Sequence, residues 1–169
     1  MTTLYTIGYE GAELVEFLRR LIDAGVGTVI DVRELPLSRR KGFSKTPLME
    51  ALAVRGIGYV HRRELGAPKG IRNELRETGD YKEYFRQFNA YLKTQKNALR
   101  QLMEEYAGST VVLMCFEANP AECHRSAVAR ELGKIAELDP IHLQVRGEAH
   151  HGHLPKAPSL HTGQGVPTA

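Results

Sequence analysis

A run of apolar residues, Val111-Val-Leu-Met114, leads into Cys115-Phe-Glu117 and then Asn119-Pro-Ala-Glu-Cys-His-Arg125. An unbroken apolar run of this length predicts a strand covered on both faces, as in a parallel sheet. Asn119 suits a helix N-cap, Pro120 the first helical position, and Glu122 completes a capping-box pattern. A helix is therefore expected to start at Asn119, with Cys123, His124 and Arg125 in or just past its first turn. Unpaired N–H groups and the helix dipole favour a thiolate or a bound anion there, by about 0.3–1 kcal/mol from the dipole alone.

The rest of the chain alternates in the same manner. Leu4 to Ile7 reads as a strand stopping at Gly8, and Leu14, Phe17, Leu18, Leu21 and Ile22 share one helical face within Ala12 to Ala24, which Gly25 ends. Thr28 to Arg33 resumes as a strand and makes a βαβ unit, a crossover that is nearly always right-handed. Pro36 breaks it, and Ser38-Arg-Arg-Lys-Gly-Phe-Ser-Lys45 is a basic loop. Thr46-Pro47 predicts a helix start for Leu48 to Val54. Tyr59 to His61 reads as a third strand, Lys69 to Gly79 as an irregular surface excursion, and Tyr81 to Tyr106 as one long helix whose aromatic stripe faces the core. The central strand and its helix, expected to reach Leu138, follow. A last short strand is expected between Asp139 and Gln144.

These elements predict a single α/β domain over residues 1–146, three α/β/α layers around a mainly parallel sheet. A flexible tail, 147–169, is expected from its Gly, Pro, His and small polar residues. His150, His151 and His153 are read as part of a solvated tail rather than a metal site. With 42% hydrophobic and 25% charged residues the 169-residue chain suits one soluble core, and a net charge of +3 permits a polyanionic partner without demanding one. No apolar run is long enough to span a membrane and no signal-peptide pattern opens the chain. Cys115 and Cys123 are too few for a disulfide framework and predict reduced thiols in the cytoplasm.

The chemistry-bearing residues gather at strand ends: Gly8-Tyr-Glu-Gly11, Asp31-Val-Arg33 with the basic loop, His61-Arg-Arg63, and Cys115 to Arg125. Ligands of open parallel sheets bind outside the carboxyl ends of the strands, so one cleft is expected. Gly8, Tyr9, Asp31, Arg33, Ser38, Arg39, Arg40 and Arg125 are the expected ligand-binding residues, with an anionic ligand, a nucleotide or nucleic-acid phosphate, as occupant. Cys115, Glu117, Cys123 and His124 are the catalytic candidates, Cys123 or Cys115 as reactive thiol and His124 or Glu117 moving protons. The plain alternative is an ion-paired sheet end, a solvated basic loop and cysteines that only pack.

Absent motifs narrow the field. Neither cysteine begins a Cys-x5-Arg phosphatase loop, the sixth positions on being Ala121 and Ala129, and neither a Gly-x-Gly-x-x-Gly nor a P-loop pattern occurs. No cofactor is expected. Cys115, Glu117, Cys123 and His124 have donor atoms for chelation, but their spacing is no standard zinc signature and no metal is expected.

Thr6-Ile-Gly-Tyr-Glu10, Asp31 to Arg40 with Phe43-Ser-Lys45, Gly56-Ile-Gly-Tyr59 with Glu64-Leu-Gly66, and Leu113-Met-Cys-Phe-Glu117 with Cys123-His-Arg125 resemble the domain-of-unknown-function family 488 (DUF488), over roughly residues 3 to 144. The resemblance implies an α/β fold and no particular reaction. Tyr9-Glu10 stands where a common form of the first motif has His-Ser. Three functions are expected in turn: an α/β protein that binds an anionic, phosphate-bearing ligand in a strand-end cleft, with thiol-dependent catalysis left open, a nucleic-acid-binding module in which the loop and Arg62-Arg63 contact phosphates while Phe43 stacks on a base, and a regulatory or scaffolding domain.

Overall fold

The computed structural model describes residues 1–145. The expected tail and its histidines lie outside them. Five strands are present among these residues: β1 (Thr3–Gly8), β2 (Thr28–Asp31), β3 (Gly58–His61), β4 (Thr110–Cys115) and β5 (Ile141–Leu143). All pair in parallel, in the order β3-β2-β4-β1-β5. Six helices connect them: α1 (Leu14–Asp23), α2 (Lys45–Val54), α3 (Lys69–Thr78), α4 (Tyr81–Lys93), α5 (Lys96–Glu105) and α6 (His124–Ala136).

Side-chain alternation along the strands sorts the core into two halves. Val29, Val112 and Met114 meet Phe17, Leu18 and Leu21 of α1 and Leu48 and Leu52 of α2. Ile30, Val111 and Leu113 face the other way, onto Phe88 and Leu92 of α4, Leu99 and Leu102 of α5, and Val128 and Leu132 of α6. The expected three-layer architecture follows. Neighbouring strands β1 and β4 are succeeded by helices on opposite faces, α1 and α6, so the chain parts at their carboxyl ends and a crevice opens there.

Three expected elements differ. Asn119 and Pro120 cap only a 3₁₀ turn, Pro120–Glu122, because the Asn119 side chain accepts from the N–H of Ala121, two residues on. Cys123 then takes extended backbone and becomes the N-cap of α6 itself, so the helix begins at His124. Tyr81 to Tyr106 is two helices rather than one: the Thr94 hydroxyl and N–H both bond the Tyr91 carbonyl, closing α4 before α5 begins. Lys69 to Gly79 is a helix, not an irregular excursion; Ile71 and Leu75 pack against the core and Gly79, with φ of 66°, ends it. A smaller shift concerns α2, whose N-cap is Ser44 in place of Thr46.

Candidate functional site

Strand parity supplies the first component. Cys115, two residues beyond Leu113 on β4, turns to the face covered by α6, where the N-cap Cys123 and first-turn His124 meet it. His124 Nδ1 lies 3.8 Å from Cys115 Sγ and 3.8 Å from Cys123 Sγ. The two sulfurs and this nitrogen all fall within 4.8 Å of one another, and both cysteines are free thiols. The imidazole cannot turn away: Nε2 donates to the Val32 carbonyl at 2.7 Å, and the Phe88 ring packs edge-on against it. Since that carbonyl only accepts, Nε2 carries a hydrogen and Nδ1 is the nitrogen presented to sulfur. The Cys115 thiol donates to Glu117 Oε2 at 3.4 Å.

The environment splits the two thiols. Cys115 is held well above the usual thiol range by its hydrogen bond with Cys123, by burial, and by the charges of Cys123 and Glu117. Burial also pushes Cys123 upward, but the hydrogen bond with Cys115, His124 and the Arg125 guanidinium together outweigh it and hold this thiol well below the usual range. For His124 burial acts downward, and the neighbouring Cys123 and the Val32 carbonyl more than offset it. Glu117, desolvated and beside Cys123, is pushed up to about 7. The thiol with the lowered pKa is thus the inner one: Cys123 is 1% exposed and does not line the cleft, whereas Cys115, Glu117 and His124 do.

That cleft, about 710 Å³, lies over the crevice between β1 and β4. Tyr9 and Gly11 line it from the end of β1, Arg33, Glu34, Leu35 and Leu37 to Arg40 from the end of β2, and Cys115, Phe116 and Glu117 from the end of β4. Arg72, Leu75 and Arg76 of α3 and Tyr84 of α4 complete it. Five arginines, Arg33, Arg39, Arg40, Arg72 and Arg76, stand against Glu34 and Glu117. Arg72 is taken up by Glu34 at 2.7 Å and by the Ala67 carbonyl, and Arg40 by the Ala12 carbonyl and Glu13. Arg39 and Arg76 are exposed and have no partner among the described residues. Leu35, Leu37 and Phe116 form an exposed apolar lip beside them.

Several expected ligand-binding residues are tied into the framework. Asp31 is fully buried and receives the Arg33 fork, Nε at 2.9 Å and Nη2 at 2.7 Å, together with the Tyr59 hydroxyl. The remaining Arg33 nitrogen donates to Tyr9 Oη and the Phe43 carbonyl, so Arg33 borders the cleft with its donors engaged inward. Arg125 is buried and ties three segments, donating to Thr6 Oγ1 and to the carbonyls of Glu117 and Ala118. Gly8 is a point of close approach: a Cβ there would sit 1.8 Å from the Glu117 carbonyl oxygen. His61 faces the Arg33 carbonyl at 2.7 Å and lies outside the cleft. Arg62 pairs with Glu105. Phe43, expected to stack on a base, is fully buried and stacks on Tyr9 at 4.4 Å, so it cannot meet a nucleic acid.

Ser38, Arg39 and Arg40 of the expected set do line the cleft, and Ser38 braces the basic loop through Ser44, at 3.0 Å to its own N–H. Arg72 and Arg76 were not legible as site residues while α3 was read as irregular. The signal was there: Ile71 and Leu75 at i, i+4 define a half-buried apolar stripe, with Arg72 and Arg76 one position further round.

A family model described as "Domain of unknown function DUF488" matches residues 13–132. No curated protein and no solved structure is similar enough to match.

Proposed function

The chain belongs to the DUF488 family, and we propose that it binds a phosphate-bearing small molecule of nucleotide size in the strand-end cleft, for a reaction that depends on its two thiols. The observation that carries this is the pairing of two unengaged guanidinium groups, Arg39 and Arg76, with a cysteine, histidine and glutamate wall in one cleft. Arginine forks match the oxygens of a phosphate, and the cleft volume is that of ordinary small-molecule sites. The lip of Leu35, Leu37 and Phe116 suits a flat apolar portion such as a nucleobase. Cys115 brings sulfur to the ligand, and Cys123, the more acidic thiol, stands behind it. Both thiols being free fits a reducing cytoplasm.

Calorimetric titration with adenosine and with adenosine monophosphate tests the reading. The nucleotide is expected to bind and the nucleoside to bind at least tenfold more weakly, a difference of about 1.4 kcal/mol or more. Arg39→Ala with Arg76→Ala should erase that preference. Equal affinity for the two ligands would refute the phosphate assignment. The oligonucleotide reading has lost its stacking residue in Phe43.

A further inference from the structure

We infer that Cys115, Cys123 and His124 form a binding site for a thiophilic divalent metal of the zinc class, with its fourth position open to the cleft. The inference deepens the preceding reading by assigning the thiols a role as ligands. It relies on that reading only for what the open position would meet; the ligand set stands on its own geometry.

Three observations converge. A tetrahedral zinc with Zn–S of about 2.3 Å and Zn–N of about 2.0–2.1 Å separates its sulfur and nitrogen ligands by about 3.6 Å. His124 Nδ1 is already 3.8 Å from each sulfur, so these two contacts need to close by only a few tenths of an ångström, while the sulfurs, within 4.8 Å of each other, close to about 3.8 Å around the ion. Secondly, the imidazole is oriented as metal-bound histidines are: the far nitrogen donates to a backbone carbonyl, here Val32 at 2.7 Å, and the near one faces both thiols. Apart from the two sulfurs, at distances long for a hydrogen bond, Nδ1 has no polar partner among the described residues.

The third observation is access. Cys115 and His124 line the cleft while Cys123 closes the site from behind, so three protein ligands converge and one coordination position is left facing the ligand space. Three protein ligands with an open fourth position is the pattern of catalytic zinc, and two sulfurs with one imidazole is among its ligand sets. Glu117, whose Oε2 is 3.4 Å from Cys115 Sγ, lies beside the open position and outside the compact trio. It is placed to exchange a proton with whatever occupies that position. Uptake of the ion displaces the thiol protons and any proton on Nδ1 to solvent, and no electron is transferred.

The sequence spacing conceals such a site. Cys115 and Cys123-His124 come from different elements, a strand end and a helix start, joined by the 3₁₀ turn, so no paired Cys-x-x-Cys motif marks it.

Cobalt(II) titration of the full chain, freed of metal by chelation under reducing conditions, tests the assignment because sulfur bound to cobalt gives a near-ultraviolet charge-transfer band that the histidines at 150, 151 and 153 cannot produce. One equivalent of cobalt with that band is expected, and zinc should displace it. Cys115→Ser, at the cleft wall, and His124→Gln should each weaken cobalt binding at least a hundredfold, with circular dichroism confirming the fold. Glu117→Gln, which removes only the hydrogen-bond partner of Cys115, should weaken binding about tenfold, less than the loss of a ligand. Cobalt bound without the sulfur band, or a band unchanged in Cys115→Ser, would overturn the site. Adenosine monophosphate is left out of this titration, so failure of the phosphate reading and failure of the metal site show in separate measurements.

Discussion

Asp31 shows how strongly one buried carboxylate constrains this molecule. It accepts from the Arg33 backbone N–H at 3.1 Å, from two guanidinium nitrogens and from the Tyr59 hydroxyl, with no exposure to solvent. Burial by itself would weaken the Arg33 charge, but the carboxylate beside it more than offsets this and raises the guanidinium further above its ordinary range. Tyr59, desolvated and bonded to the same carboxylate, is likewise pushed up and stays a neutral donor. Removing one partner of a buried pair leaves the other charge uncompensated. Asp31→Asn should therefore cost about 3–5 kcal/mol of stability, read from urea denaturation; a loss under 1 kcal/mol would show that solvent reaches Arg33. Asp31 closes β2 and Arg33 lies two residues past it, and the two side chains meet. What spacing does not reveal is that they satisfy each other, since that depends on Tyr9, Phe43 and Tyr59 sealing them from water.

Among the elements, β5 is the slightest: three residues at the sheet edge, joined to β1. His142 holds it by a side-chain bond to Thr6. Thr6 Oγ1 accepts from Arg125 Nε at 3.2 Å and lies 2.6 Å from His142 Nδ1, which in the neutral ring can accept the Thr6 hydroxyl hydrogen. Burial, and then the Arg125 charge, lower the His142 pKa in the fold. The folded protein thus binds fewer protons here than the unfolded chain. The stabilisation is present above the unfolded value of about 6.5 and is lost as pH falls through the lower folded value. Stability should decline over that interval, and His142→Asn should flatten this part of the profile, as followed by urea midpoints against pH. An identical slope in the variant would exclude His142 as the cause. Element boundaries were harder to read than element types. The aromatic stripe of α4 and the apolar stripe of α5 continue one another in period, and only the local bonds of Thr94 to Tyr91 part them.

Across the whole molecule, Arg125 connects the centre to the sheet. From the first turn of α6 it reaches Thr6 on β1 and the Glu117 and Ala118 carbonyls after β4, while Glu10 accepts from the Ala118 N–H at 3.1 Å on the opposite side of that loop. Gly8 allows the same loop to lie against β1. Arg125→Lys keeps the charge but cannot span the three acceptors. It should cost about 2 kcal/mol or more and accelerate hydrogen exchange at Ala118, with helix content unchanged; unaltered exchange there would show that the loop holds itself. The sequence by itself determined the βα alternation, the parallel sheet and the strand ends on which polar residues collect, because hydrophobic period, caps and glycines act over a few residues and are written in order along the chain. Only the tertiary structure decided which of those residues stay available. Arg33, Arg125 and Phe43 are consumed by partners far away in sequence, while Arg72 and Arg76 arrive from a helix that looked irregular, and Cys115 meets Cys123 and His124 because β4 and α6 pack on one face. A donor's availability depends on who its neighbours are after packing, and that is a sum over contacts between distant segments that no local pattern encodes.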